Sequence, residues 1–178
     1  MSEPLYPPIR RVVTVRATPE AAFRRFTAEL ASWWPLRSHS VGGDDAETIT
    51  MEPRMGGQIV ERMRDGTRHV WGTIKVWDPP HRVAFTWHPG QDPHTAQDIA
   101  VTFTAEDDRT RVELTHGGFE RLGKNARRAH RGYPIGWAYV LAIYTKTNRP
   151  LVLVVGGLIA MIGFVQKIVQ RTRSVATR

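Results

Sequence analysis

Residues 71–87 read WGTIKVWDPPHRVAFTW. Two runs rich in β-branched and aromatic residues flank the triplet Asp78-Pro79-Pro80. Proline fixes φ and denies a strand its donor, so the triplet reads as the turn between two strands rather than as part of either. A link this short leaves no room for the crossover that parallel neighbours need, and the pair is therefore expected to be antiparallel.

The same grammar continues in both directions. Upstream stand TITMEP and QIVERMR, downstream DIAVTFTA and TRVELTH, each a short β-rich run. The breaks fall at Gly56-Gly57, Asp65-Gly66, the loop PGQDPH and Asp107-Asp108, all turn chemistry. A further run, RRVVTVRA, predicts a strand over 10–17. Thr18 and Pro19 then supply an N-cap and a first helical residue, and Ala22, Phe23, Phe26, Leu30 and Trp33 recur at helical spacing until Pro35. From Phe119 the period is helical again, with Arg121, Lys124, Arg128 and Arg131 on one charged stripe, and a second helix is predicted to begin at Pro134 with Trp137, Leu141 and Tyr144 on one face. The predicted class is α+β: a curved antiparallel sheet of about seven strands whose apolar face is covered by the C-terminal helix.

These stretches also carry a family likeness. WWP at 33–35, EPRMGGQIVER at 52–62, WGTIKVWDPPHRVAFTW at 71–87, TRVELTHGGFERLG at 110–123 and Gly136-Trp137 resemble, in order and spacing, single-domain proteins related to the C-terminal domain of the activator of Hsp90 ATPase, within the START-like (SRPBCC, helix-grip) superfamily. The likeness covers roughly 8–148. It implies a sheet gripping a long C-terminal helix, with an apolar cavity between them that in many relatives holds a hydrophobic ligand. In the larger eukaryotic relatives a separate N-terminal domain carries much of the chaperone contact, and the resemblance over 8–148 does not include it, so cavity binding is expected to transfer more readily than chaperone activation. The resemblance does not extend to 149–178.

Charge divides along the same boundary. The formal net charge is +8, from 25 basic and 17 acidic residues. Arg149, Lys167, Arg171, Arg173 and Arg178 lie in 149–178 with no acid, which leaves 1–148 at only +3. The basic run RLGKNARRAHR is expected to be a solvated helix face, and nucleic acid is not an expected partner. With no cysteine, disulfides, thiolate metal sites and a cysteine nucleophile are excluded. The seven histidines lack metal-binding spacing and the serines lack a nucleophile elbow, so neither metal, cofactor nor catalytic residue is expected. The opening residues MSEPLYPPIRR have no apolar core of a secretory signal, and a cytoplasmic domain is expected.

The cavity candidates are Trp34, His39, Glu61, Trp71, Phe85, Trp87, Phe103, Tyr133 and Trp137. Large flat rings either shape a ligand cavity or pack a core. Glu61 shares a strand face with Ile59 and Met63, where it serves as an acid, anchors a polar ligand group, or pairs with a nearby cation. His39 follows the WWP helix end near the expected mouth of the cavity, and His116 ends the last strand as a turn or rim residue. Finally, 151–165 runs without a charged side chain, and 151–169 as one helix would span about 28 Å, close to the hydrocarbon thickness of a bilayer. A membrane anchor is expected there, with soluble packing as the alternative. Gly156, Ala160 and Gly163 make a small-residue stripe that would allow a homodimer. The expected function is non-catalytic binding of a small hydrophobic or lipid-like molecule at a membrane. Its alternatives are a co-chaperone-like interaction module and an enzyme acting on a hydrophobic substrate in the same cavity.

Overall fold

A computed structural model describes residues 5–145. It contains β1 (Ile9–Val15), α1 (Pro19–Phe26), α2 (Leu30–Trp33), β2 (Ala46–Met51), β3 (Gln58–Met63), β4 (Arg68–Asp78), β5 (Arg82–Trp87), β6 (Gln97–Glu106), β7 (Arg109–Gly117) and α3 (Ala126–Tyr144). The strands form one antiparallel sheet in the order β1-β7-β6-β5-β4-β3-β2. The curved sheet packs against the C-terminal helix in the helix-grip arrangement.

The bend in the sheet has an identifiable cause in β4. Its first half pairs with β3 and its second half with β5, and register shifts occur on both sides, between Ile59 and Val60 and between Ile74 and Val76. Bulges of this kind bend and twist a strand. Between them lies Gly72, where a Cβ would stand 1.7 Å from the Thr86 carbonyl oxygen. Only glycine lets the end of β5 come this close, and the approach is held by the His88 N–H on the Trp71 carbonyl at 2.7 Å. The Asp78-Pro79-Pro80 turn closes the β4–β5 hairpin, with a cis bond between the two prolines.

Two helical expectations are corrected. The predicted helix reaching Trp33 is two helices, because Thr27 turns its hydroxyl back onto the Phe23 carbonyl (2.8 Å) and the chain re-enters a helix at Leu30. At the other end no new helix starts at Pro134: α3 runs through it from Ala126. An interior proline costs a helix about 3 kcal/mol. Burial of Trp137, Val140, Leu141 and Tyr144 on the sheet outweighs that cost, and the Arg11 guanidinium donates to the Pro134 carbonyl at 3.1 and 3.3 Å. Phe119–Asn125 forms a 3-10 segment ahead of α3, entered through Gly118 at φ +81°.

The transmembrane and membrane expectation is also corrected. Among the described residues no helix is long and apolar enough to cross a membrane. The run 151–169, where the anchor was expected, lies outside the described residues.

Rings from α1, α2, the sheet and α3 interlock at one end of the core. Phe26 meets Trp33, Phe103 and Tyr144 at centroid distances of 5.4 to 5.8 Å, and Phe23 meets Phe103 and Trp77 at 5.3 and 5.1 Å. The Tyr144 hydroxyl, held protonated by burial, donates to the Ala22 carbonyl at 2.9 Å and ties α3 to α1. This end is solid packing. The other end is where the candidate site lies.

Candidate functional site

Trp34, Trp71, Trp87 and Trp137 come from the end of α2, from β4, from β5 and from α3, and they face one another across the space between sheet and helix. Centroid separations run from 5.3 Å (Trp71–Trp87) to 6.1 Å (Trp34–Trp137), at tilted or edge-on angles. With Phe26, Leu30, Ile49, Met51, Ile59 and Phe85 they line a cavity of about 10 Å³. On that measure a single water needs about 10–15 Å³, so the interior is nearly filled.

An indole has one hydrogen-bond donor and no acceptor. All four of these donors are satisfied by groups that do not line the cavity. Trp34 Nε1 donates to the His39 carbonyl at 2.7 Å, Trp71 Nε1 to Glu61 at 2.8 Å, Trp87 Nε1 to the Tyr133 hydroxyl at 3.2 Å, and Trp137 Nε1 to His116 Nδ1 at 3.0 Å. What remains towards the cavity is hydrocarbon and π surface. Such a lining presents flat apolar surface and no proton-transfer group of its own.

The predicted candidates separate accordingly. Trp34, Trp71, Phe85, Trp87 and Trp137 line the cavity, whereas His39, Glu61, Phe103 and Tyr133 do not. Phe103 packs in the solid end with Phe23 and Phe26. The half-buried His39 stacks on Tyr139 at 5.0 Å, its Nδ1 is 2.9 Å from the Ser38 hydroxyl, and desolvation lowers its pKa.

Glu61 is fully buried, and its carboxylate is taken up by the chain's own donors. Oε2 accepts from the Val41 N–H (3.0 Å) and from Trp71, and Oε1 accepts from the Gly42 N–H (2.8 Å). The carboxylate thus clamps the loop that follows Trp34. Gly42 is what lets the loop settle there, since a Cβ would lie 2.3 Å from Met63 Sδ and 3.0 Å from Glu61 Oε1. No cation is needed to hold this buried charge, because three N–H donors solvate it.

His116 is not a rim residue. It is completely buried on the inner face of β7, among Phe119 (ring centroids 4.6 Å), Tyr133 (4.4 Å) and Trp137. Desolvation, with His130 adding repulsion, lowers its pKa to about 3. Because Trp137 can only donate, Nδ1 of the neutral ring must accept and the proton sits on Nε2, which has no hydrogen-bond partner. Tyr133 is pushed up to about 12 by burial, so its hydroxyl stays protonated. Gln97, missed in the sequence, is also fully buried; its Nε2 donates to the Thr95 carbonyl at 2.6 Å and its Oε1 has no partner. The signal was there in the period of β6, which turns 97, 99, 101 and 103 to one face.

Comparison with known proteins follows these features. The chain is 34% identical to Txn09, an anthrahydroquino-gamma-pyrone synthase solved complexed with SUM, over 79% of this chain and 96% of that one, at a TM-score of 0.58. CalC from Micromonospora echinospora, a self-sacrificing resistance protein, is 27% identical over 79% and 93% at a TM-score of 0.59. The Aha1 dimer from Colwellia psychrerythraea shares the fold at 17% identity, over 78% and 92%, with a TM-score of 0.57. Among curated proteins none matches closely enough to be counted a relative. The family model for activator of Hsp90 ATPase homolog 1-like proteins matches residues 16–142. The chain belongs to that family, within the START-like helix-grip superfamily.

Proposed function

We propose that the chain takes a flat, apolar, aromatic small molecule into the space between sheet and α3 and acts on it chemically, rather than only storing it. The indole box carries the choice of guest: four large π faces converge and every indole donor is spent elsewhere. The 34% identity to a synthase named for an anthrahydroquinone-derived product supports a reaction over simple binding. Admission of a guest requires one wall to move. Trp34 is the wall placed for it, since it stands at the end of a four-residue helix and on the loop clamped by Glu61.

The test is a calorimetric titration of the full chain with anthraquinones and their dihydro forms, followed by mass analysis of the mixture. Saturable binding with a new product is the expected result. Saturable binding with no product would leave a binding protein, and no binding would remove the reading altogether. In that last case the nearly filled interior favours a protein-interaction module that uses the outer sheet face.

A further inference from the structure

Among the described residues two buried polar side-chain atoms have no partner, Gln97 Oε1 and His116 Nε2, and both residues adjoin rings of the indole box. Gln97 is the direct cross-strand partner of Trp87. His116 is hydrogen-bonded to Trp137. Since Ile99 pairs with His116 and Asp98 with Gly117, Gln97 and His116 are diagonal neighbours on the inner face of β6 and β7. Diagonal neighbours stand about 7–8 Å apart at Cα, within joint reach of one small group.

Their chemistry is complementary and fixed. The Gln97 amide is oriented by its donation to the Thr95 carbonyl, so the orphan atom is the acceptor oxygen. The His116 proton is fixed on Nε2 by the Trp137 donor, so the orphan there is a donor. A burial this complete normally satisfies both kinds of atom, and an orphan costs about 1–3 kcal/mol. A carbonyl or an ether would satisfy only His116, and an ammonium only Gln97. A neutral hydroxyl satisfies both at once, accepting from Nε2–H and donating to Oε1.

We infer that Gln97 and His116 form an internal subsite for a hydroxyl on the aromatic ring of the guest, reached between the Trp87 and Trp137 indoles. This rests on the proposed aromatic guest and narrows it to phenols and hydroquinones. The Trp87 and Trp137 rings are in contact, 5.8 Å apart between centroids and tilted by 46°, so a ring substituent reaches the subsite only as these two rings part.

The test compares three probes of one size by calorimetric titration of the full chain: 2-naphthol, 2-methoxynaphthalene and 2-methylnaphthalene. 2-Naphthol is expected to bind about tenfold tighter than 2-methoxynaphthalene, which can accept from His116 but cannot donate to Gln97, the worth of one well-made buried hydrogen bond, and tighter still than 2-methylnaphthalene, which makes neither bond. In Gln97→Met the preference over 2-methoxynaphthalene is expected to vanish while 2-methylnaphthalene binds as before. Independently of any variant, the His116 Nε2 resonance of the ¹⁵N-labelled chain should shift with 2-naphthol and not with 2-methylnaphthalene. Equal binding of all three probes, or a silent Nε2 resonance with 2-naphthol bound, would overturn the subsite and leave the aromatic cavity standing, with a water alone between the two side chains. No binding of any probe would overturn the cavity reading and the subsite together.

Discussion

Two buried polar sites flank the same box of indoles, and they are built in opposite ways. At Glu61 every feature is saturated: two carboxylate oxygens, three N–H donors, and a glycine where a side chain would collide. At His116 and Gln97 each side chain has one partner and one orphan atom. The first site holds a loop in place. The second holds hydrogen-bonding capacity that the protein's own groups do not use, in a place where capacity is expensive to leave unused.

The comparison breaks most readily at Glu61. Glu61→Ala leaves three N–H groups without their charged acceptor and is expected to cost about 5 kcal/mol in urea unfolding, with Glu61→Gln nearer 2, since hydrogen bonds to charged groups contribute about 1.5–3 kcal/mol each. A loss under about 1 kcal/mol for Glu61→Ala, no more than an ordinary surface position gives, would mean that Glu61 is no clamp.

Acid probes the other site. Burial holds the folded pKa of His116 near 3, below the unfolded value of about 6.5, so between those values the unfolded chain binds more protons than the folded one. The stability His116 contributes as a neutral ring is therefore fully present above pH 6.5 and lost as the pH falls towards 3. About 2 kcal/mol should go between pH 6.5 and 5, at about 1.4 kcal/mol per pH unit. His39, also lowered by desolvation, adds to the loss in the same direction. His116→Gln should flatten most of the slope, and an unchanged slope would place its origin elsewhere.

Smaller effects sharpen the contrast. Trp137→Phe removes the donor to His116 Nδ1 while keeping an aromatic wall, and should cost about 1–2 kcal/mol. Its ¹⁵N spectrum should also show the His116 proton no longer confined to Nε2. Gln97→Met removes an orphan acceptor along with one bond to the Thr95 carbonyl, so the two terms nearly cancel and the expected change is within about 1 kcal/mol. A loss of the Glu61 size at Gln97 would show that the second site is structural after all.

Much of the architecture was legible beforehand because it is written in local periods. Alternation along the runs and turn chemistry at Asp65-Gly66, Asp78-Pro79-Pro80 and Asp107-Asp108 set seven antiparallel strands, and each lies within two residues of its expected place. The helices were read less well. Thr27 and Pro134 are local signals overridden, at one by a side chain that bonds its own backbone, at the other by the packing of Trp137, Val140, Leu141 and Tyr144. Of the candidate site, the apolar rings Trp34, Trp71, Phe85, Trp87 and Trp137 could be named from pattern and resemblance; the period of β6 put Gln97 on the inner face without showing its partners, and the true setting of His116 was not legible.

The division has one physical origin. Which face of a strand a residue takes follows from its neighbours two positions away, so the sequence by itself determined the antiparallel run of β2 to β7, the turns and the apolar supply for the core, while the pairing of β1 with β7 came only from the fold. Which polar atom meets which is set by residues brought together from far along the chain: Trp71 with Glu61, Trp137 with His116, Trp87 with Tyr133. Only the tertiary structure decided that the Glu61 carboxylate is filled, that four indole donors are satisfied outside the cavity they enclose, and that Gln97 and His116 each keep one atom unpaired.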